Sequence, residues 1–327
     1  VYDGREKVGI KMESFVIQTE NLSKVYQSRK QSVCALDKLN LTVQRGEVFG
    51  YLGPNGAGKT TTIRILLDLI RPTEGRALLF GENANKSSPA LRQRIGFLPG
   101  ELSLWKNLTG LQVIQYAGRV RGHLDMAYVN QLSERLKFDP SKKVRDYSSG
   151  NKRKLGLVLA FMHKPELVIL DEPTSGLDPL IQQTFNDFLR HYSAEGNTVF
   201  MSSHVLSEVQ AVCDRVGILR DGRLKAVERV ETLTHADFRW VTVRFRDAVP
   251  PELLARVPGI SQVTPLEHGY RFRMVGEWQA LLHAIRDCYV LDIQTEKPSL
   301  EEIFLAYYND VGDSEMAEAA EVKEGEA

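Results

Sequence analysis

The run GPNGAGKT, Gly53 to Thr60, has the spacing GxxxxGK[ST], which can hold a chain of phosphates. Glycines let backbone N–H groups close around phosphate oxygens, and the N-terminus of a following helix adds its partial positive charge. Lys59 can reach the β and γ phosphates, and Thr60 can offer its hydroxyl to Mg²⁺. Gly53, Pro54, Asn55, Gly56, Ala57, Gly58 and Thr61 complete this nucleotide-binding set. The plain alternative is a glycine-rich turn with no ligand. A second run, LVILDEP, ends an apolar stretch on Asp171 and Glu172. Paired acids at a strand tip stand where open α/β sheets bind their ligands. Asp171 can hold Mg²⁺ through water, and Glu172 can orient and polarise an attacking water. Their plainer role is to cap the segment that starts at Pro173.

These residues need elements that bring them together. EVFGYLG reads as a short apolar strand ending in glycine, and KTTTIRILLDLI as the helix after it. The glycine-rich run therefore lies between a strand and a helix, the context that phosphate binding requires. FVIQT and LNLTV alternate as strands near the start, and RPTEG closes the helix before a further strand, RALLFG. A mostly helical middle is expected from about Leu91 to Arg145. Two buried strands, LVIL and TVFMSS, follow, separated by a helix around Ile181 to Ala194. Such alternation makes an α/β core. From about His235 the runs WVTVRFR, PPELLARV, ISQVTPL, YRFRMV, EWQALLHAI and YVLDIQT predict strand, helix, strand, strand, helix, strand. The expected organisation is an extension over 1–14, a core domain over 15–230 with its helical part at about 91–150, and a small α+β domain over 235–310. An acidic tail over 311–327, without aromatics, is expected to be disordered.

Composition narrows the function classes. The 327 residues are 43% hydrophobic and 26% charged, ordinary for a soluble globule. Lys+Arg and Asp+Glu both total 42, so overall charge makes no case for nucleic acid and any anion site is local. Cys34, Cys213 and Cys288 are odd in number and far apart, which fits neither a disulfide framework nor a CxxC metal site. Charges in the first fifteen residues exclude the apolar middle of a secretory signal there, and apolar runs such as LVIL are too short to cross a bilayer.

The glycine-rich run is followed, in order and spacing, by YSSGNKRK, LVILDEP, SGLD (Ser175, Gly176, Leu177, Asp178) and SSHVLSEVQAVCDRVGILRDGRL. From about Phe15 to Ala226 this resembles the ATP-binding cassette family, above all the nucleotide-binding subunits of daunorubicin-resistance and sodium-efflux type exporters. EKPSLEEIFLAYY resembles the close of the small C-terminal domain such subunits often carry. The resemblance implies a P-loop NTPase fold, ATP and Mg²⁺ as ligands, and ATP hydrolysis that powers a separate integral-membrane permease. It also implies a peripheral place on the cytoplasmic face of the membrane. Tyr26 becomes the aromatic that stacks on adenine, a role its ring face can serve. Asp171, Glu172 and Lys59 become catalytic, together with His204 as the switch histidine that holds the γ-phosphate and the attacking water. Ser175 to Asp178 become the D-loop. Tyr147, Ser148, Ser149, Gly150 and Asn151 stand for the signature motif, usually LSGGQ. A serine hydroxyl, a glycine N–H and a helix N-terminus form an anion site there. No phosphate of the same chain is expected near it, so its donors and cations would face the nucleotide of a second subunit. Two subunits would sandwich two ATPs, with a homodimer favoured over a heterodimer. Ser148 or Ser149 can equally cap the apolar helix KLGLVLAFM.

Two departures from the family pattern carry expectations. Ser149 stands where glycine is common, and a Cβ there disfavours positive φ and close approach, so slower hydrolysis is expected. In RIGFLPGELSLW the usual loop glutamine falls at Gly100, so either Glu101 reaches the metal by a one-residue shift or the contact is missing. Two rival functions remain on the sequence: a cassette without a permease acting on ribosomes or DNA, and an inert partner in a heterodimer. One glycine-rich run and about 90 residues before the signature argue against the first, and intact Asp171, Glu172 and His204 against the second.

Overall fold

The structure, a computed structural model, describes residues 15–27, 32–86, 88–231 and 238–296. The expected extension over 1–14, the tail over 311–327 and nearly all of EKPSLEEIFLAYY lie outside those residues. The chain divides into two units, Val1–Arg229 and Val230–Ala327.

In the first unit, β1 (Phe15–Gln27) and β2 (Ser32–Gln44) pair antiparallel before β3 (Val48–Leu52) leads into α1 (Lys59–Leu66). β4 (Glu74–Leu79) and β5 (Glu82–Asn83) complete a four-stranded antiparallel sheet of order β2-β1-β4-β5. Next come α2 (Pro89–Gln93), β6 (Ile95–Leu98), α3 (Gly110–Arg121), α4 (Met126–Arg135) and α5 (Ser149–Phe161). β7 (Leu167–Asp171), α6 (Pro179–Ala194), β8 (Thr198–Ser203), α7 (Leu206–Val212), β9 (Arg215–Arg220) and β10 (Arg223–Arg229) finish the unit. A six-stranded sheet has the order β10-β9-β3-β8-β7-β6, and β10 alone of its strands pairs antiparallel.

Every residue of β3, β7 and β8 is buried, which explains their uninterrupted apolar runs: strands covered on both faces have no polar side to alternate. Phe49 and Phe200 stack with centroids 5.9 Å apart, and Tyr51 tilts onto Phe200 at 5.2 Å. The Tyr51 hydroxyl meets Thr62 Oγ1 at 3.1 Å inside this core, fixing α1 on the sheet. Parallel register then aligns the strand ends that matter. Leu52 of β3 faces Ser203, and Asp171 of β7 faces Ser202 on the strand between them. Three neighbouring strands therefore deliver their C-terminal loops to one edge, the usual ligand edge of an open α/β sheet.

Two sequence expectations need correction here. The mostly helical middle also contains a strand, because Ile95–Leu98 pairs with Leu167–Leu170 at the sheet edge. A four-residue apolar run has no readable period, and its partner lies more than 70 residues away. Gly96 permits this strand to lie under α5, since a Cβ would sit 2.1 Å from the Ala160 carbonyl oxygen. The helix expected over KTTTIRILLDLI also stops early, at Leu66, and Asp68 takes a left-handed φ of 57°.

The second unit follows the expected order: β11 (Phe238–Phe245), α8 (Glu252–Ala255), β12 (Ile260–Leu266), β13 (Gly269–Val275), α9 (Trp278–Ala284) and β14 (Val290–Glu296). Its antiparallel sheet runs β12-β13-β11-β14, the split βαβ arrangement of ferredoxin-like folds. Val241, Val243, Phe245, Phe272 and Met274 pack with Leu254, Leu281 and Ile285 as a separate core.

Candidate functional site

The loop between β3 and α1 closes because two of its glycines adopt angles other residues resist. Gly56 has φ 84° and Gly58 φ 112°, and a Cβ on Gly58 would strike the Ala35 carbonyl oxygen at 2.5 Å. Gly58 is also the N-cap of α1 and supplies no side chain to bond the first N–H groups, so these remain available to an anion. Lys59 is buried, and its Nζ donates to the carbonyls of Gly53 at 2.6 Å and Pro54 at 3.3 Å. Those bonds hold the ammonium in the loop rather than in solvent. Ala57 is buried, whereas Pro54, Asn55 and Thr60 are exposed. Pro54, Asn55, Gly56, Gly58, Lys59, Thr60 and Thr61 line a cavity of about 370 Å³, shared with Gly100, Asp171, Glu172, Ser175 and His204.

Asp171 ends β7 nearly sealed, with Oδ1 accepting from Ser202 Oγ at 2.5 Å and Oδ2 accepting from Thr60 Oγ1 at 3.1 Å. A hydroxyl and a carboxylate meeting beside a glycine-rich loop are hard oxygen donors of the kind Mg²⁺ takes. That donor set fits the ion. Glu172 leaves the strand at a left-handed φ of 53°, and its N–H donates to the carbonyl and hydroxyl oxygens of Ser202, both at 3.2 Å. This kink turns its carboxylate toward the cavity. Oε1 lies 3.6 Å from Lys59 Nζ, and Oε2 is 2.7 Å from His204 Nδ1. A carboxylate only accepts, so Nδ1 carries the shared proton.

Tyr147 is buried, not presented outward, and its hydroxyl donates to the Asp139 carbonyl at 2.8 Å while its ring packs edge-on against Phe138. Ser148 caps α5, its Oγ accepting from Asn151 N at 3.2 Å. Ser149 is the first residue of that helix and is not among the positive-φ residues. The strain argued from its Cβ therefore does not arise; the close approach falls at Gly150, where a Cβ would lie 2.6 Å from the Gly176 carbonyl oxygen. Of the expected D-loop, Ser175 reaches the cavity, Leu177 is buried, and Asp178 caps α6 by accepting from Ile181 N at 3.0 Å. Tyr26 is exposed near the end of β1 with Lys24 Nζ 5.2 Å from its ring centroid, and it does not line the cavity. Glu101 is exposed and does not line it either; Gly100 does, so the one-residue shift toward the metal is not seen.

One expectation about the signature stretch needs correction for a single cation. Its cations were expected to face no phosphate of their own chain, yet Arg153 is buried in the wall of this chain's own cavity. Sequence reasoning also missed Ser202, which holds both acids. Arg153 stands two residues past the motif between Lys152 and Lys154, and that cationic run at the start of an apolar helix was the available signal. Among the described residues no cluster of three or more His, Cys, Asp or Glu could hold a metal.

Residues 36–175 match the ABC transporter family model. The bacitracin transport ATP-binding protein BcrA of Enterococcus faecalis is 39% identical over 213 residues, covering 64% of this chain and 68% of that protein. The chain belongs to the ABC transporter family, as an ATP-binding subunit. An uncharacterised ABC transporter ATP-binding protein of Synechocystis is 32% identical over 309 residues, 91% of this chain and 86% of the relative. A solved ATP-binding subunit of an ABC transporter superposes with a TM-score of 0.60 at 28% identity, over 67% of this chain and 91% of that one. The cassette is thus an ATPase that uses ATP with Mg²⁺. No helix among the described residues is long and apolar enough to cross a membrane.

Proposed function

We propose that this cassette drives an exporter: it binds ATP, closes on a second nucleotide-binding subunit around two nucleotides, and moves a separate integral-membrane permease from the cytoplasmic face. The observation that carries the hydrolytic half is Glu172, held at the cavity between Lys59 and His204. A carboxylate so placed can accept a proton from the attacking water, with His204 keeping it in position. Thr60 and Asp171 would hold Mg²⁺, which supplies charge neutralisation for the leaving phosphates. Arrival of the γ-phosphate would draw Lys59 from Glu172, freeing the carboxylate for water. Tyr26 would stack on adenine.

Support for the sandwich is the separation of two anion-type elements in one chain. The glycine-rich loop lines the cavity, whereas Ser148, Ser149, Gly150 and Asn151 do not. The signature donors would then serve the partner's phosphate, with Ser175 to Asp178 beside them. The transport part of this reading takes its support from the BcrA relative, which is named for bacitracin transport.

Glu172→Gln tests the core of this. It should lower ATP turnover by about 10³-fold while leaving ATP affinity within about threefold, and trap a dimer on light scattering. Full turnover in that variant would sink the assignment. Copurification from membranes should then bring down a permease in fixed ratio; recovery of ribosomes or DNA instead would favour a cassette without one.

A further inference from the structure

The side chain of Arg153 makes contacts that the reading above does not use. Arg153 is only 7% exposed and projects from the first turns of α5. Its Nη1 donates to the Pro99 carbonyl and its Nη2 to the Gly100 carbonyl, each at 2.8 Å. Nε points at the Ser175 carbonyl at a longer 3.4 Å. One planar fork thereby touches the loop after β6 and the loop after Glu172, 54 and 22 residues away in sequence. Both loops border the hydrolytic residues. Gly100 lies against the metal-binding carboxylate, since a Cβ on it would sit 3.2 Å from Asp171 Oδ2. Ser175 N donates to the Glu172 carbonyl oxygen at 3.3 Å. Gly100 has no side chain with which to report or fix its own distance from Asp171.

We propose that Arg153 is a positioning residue for ATP hydrolysis: its guanidinium sets the Gly100 backbone against Asp171 and the Ser175 loop beside Glu172, so that α5 governs the geometry of its own chain's site. Burying a guanidinium among neutral carbonyls is costly unless charge compensates. Here the compensation is partial: burial dominates and pushes the Arg153 pKa down, while Asp171 and Glu172 oppose the shift. Three carbonyls from two loops also match what arginine alone offers, several donors in one rigid plane. A displacement of α5 at its Ser148 end would move both loops together. This inference concerns the ATPase site and holds whichever subunit closes the dimer.

The test compares Arg153→Met and Arg153→Lys in the full chain, with ATP affinity, kcat and ATP-driven association measured on the same samples. A misplacement of about 1 Å can cost about 100-fold in rate, so Arg153→Met is expected to lose between ~10-fold and ~100-fold in kcat. ATP affinity should stay within about threefold. Arg153→Lys keeps the charge but lacks the fork, and should remain at least about fivefold down. Adding Gly100→Gln to Arg153→Met gives the loop a polar side chain beside Asp171 and should recover part of kcat. Wild-type kcat in Arg153→Met, or full activity in Arg153→Lys, would overturn the proposal. So would parallel loss of ATP binding and kcat in both variants, unrelieved by Gly100→Gln, which would leave Arg153 a packing role only. If wild type shows no ATP-driven association, the sandwich reading fails separately while the kcat comparison still decides this one.

Discussion

Two helix N-termini in this cassette carry glycine and hydroxyl residues, and they are built in opposite ways. α1 starts from Gly58 in a left-handed conformation with no side-chain cap. α5 starts from Ser148 at ordinary angles, with the serine hydroxyl bonded to the Asn151 N–H. The first end has no side-chain cap among the described residues, so an anion would complete it. The second is completed by its own serine and holds its shape without ligand. Similar residue types would therefore serve, on the proposed function, as a cradle in one place and as a presenting edge in the other.

The comparison breaks most readily at the cradle. Lys59→Ala removes the cavity's charge-assisted donor to phosphate, and should weaken Mg-ATP binding by about 100-fold or more, measured by calorimetric titration. Unchanged affinity would mean the loop is no phosphate site. At the other end, Ser148→Ala should cost about 1 kcal/mol of stability through the lost cap. It should weaken ATP-driven association by about tenfold without changing ATP affinity of the single subunit. If affinity falls instead, the two termini serve the same nucleotide and the contrast drawn here is wrong.

His163, two residues beyond the far end of α5, sharpens the comparison through pH. Its Nε2 lies 3.1 Å from the Ile95 carbonyl oxygen, and Nδ1 is buried with no hydrogen-bond partner among the described residues. Burial, helped by the nearby Arg121 cation, lowers its pKa from 6.5 to about 4. The folded state thus favours the neutral ring, so its contribution is complete above pH 6.5 and is lost as pH falls through about 4. Allowing for its partial exposure, the loss should be about 1 to 2 kcal/mol. Melting curves at pH 7.5 and pH 4.5 should show a smaller difference in His163→Gln than in wild type; equal differences would remove His163 as a cause. The smallest effect is expected at Ser149→Gly, within about twofold in kcat, because no positive φ awaits relief there. A rise beyond about threefold would restore the view that Ser149 slows the enzyme.

Much of the site was legible because its residues lie close together in sequence. Gly53 to Thr60 fix a loop by local spacing, and Asp171 and Glu172 follow directly from an apolar strand. The order of elements in the second unit was equally readable, since each run is short and bounded by turn residues. What escaped depends on distant partners. β6 exists as a strand only by pairing with β7. Tyr147 reads only as the first residue of the signature motif until its contacts with Asp139 and Phe138 show it packed inside.

The sequence by itself determined which chemical groups are present: a glycine-rich loop with a lysine and a hydroxyl, a pair of acids at a strand tip, and a helix start with a serine-glycine edge. Local spacing encodes these, because backbone angles and helix starts are decided within a few residues. Only the tertiary structure decided which residues meet. Glu172 and His204 are 32 residues apart, Thr60 and Asp171 111 apart, and Arg153 joins two loops that no local pattern links to it. Strand register and the close packing of α5 on the sheet bring these groups together, and neither leaves a period in the sequence.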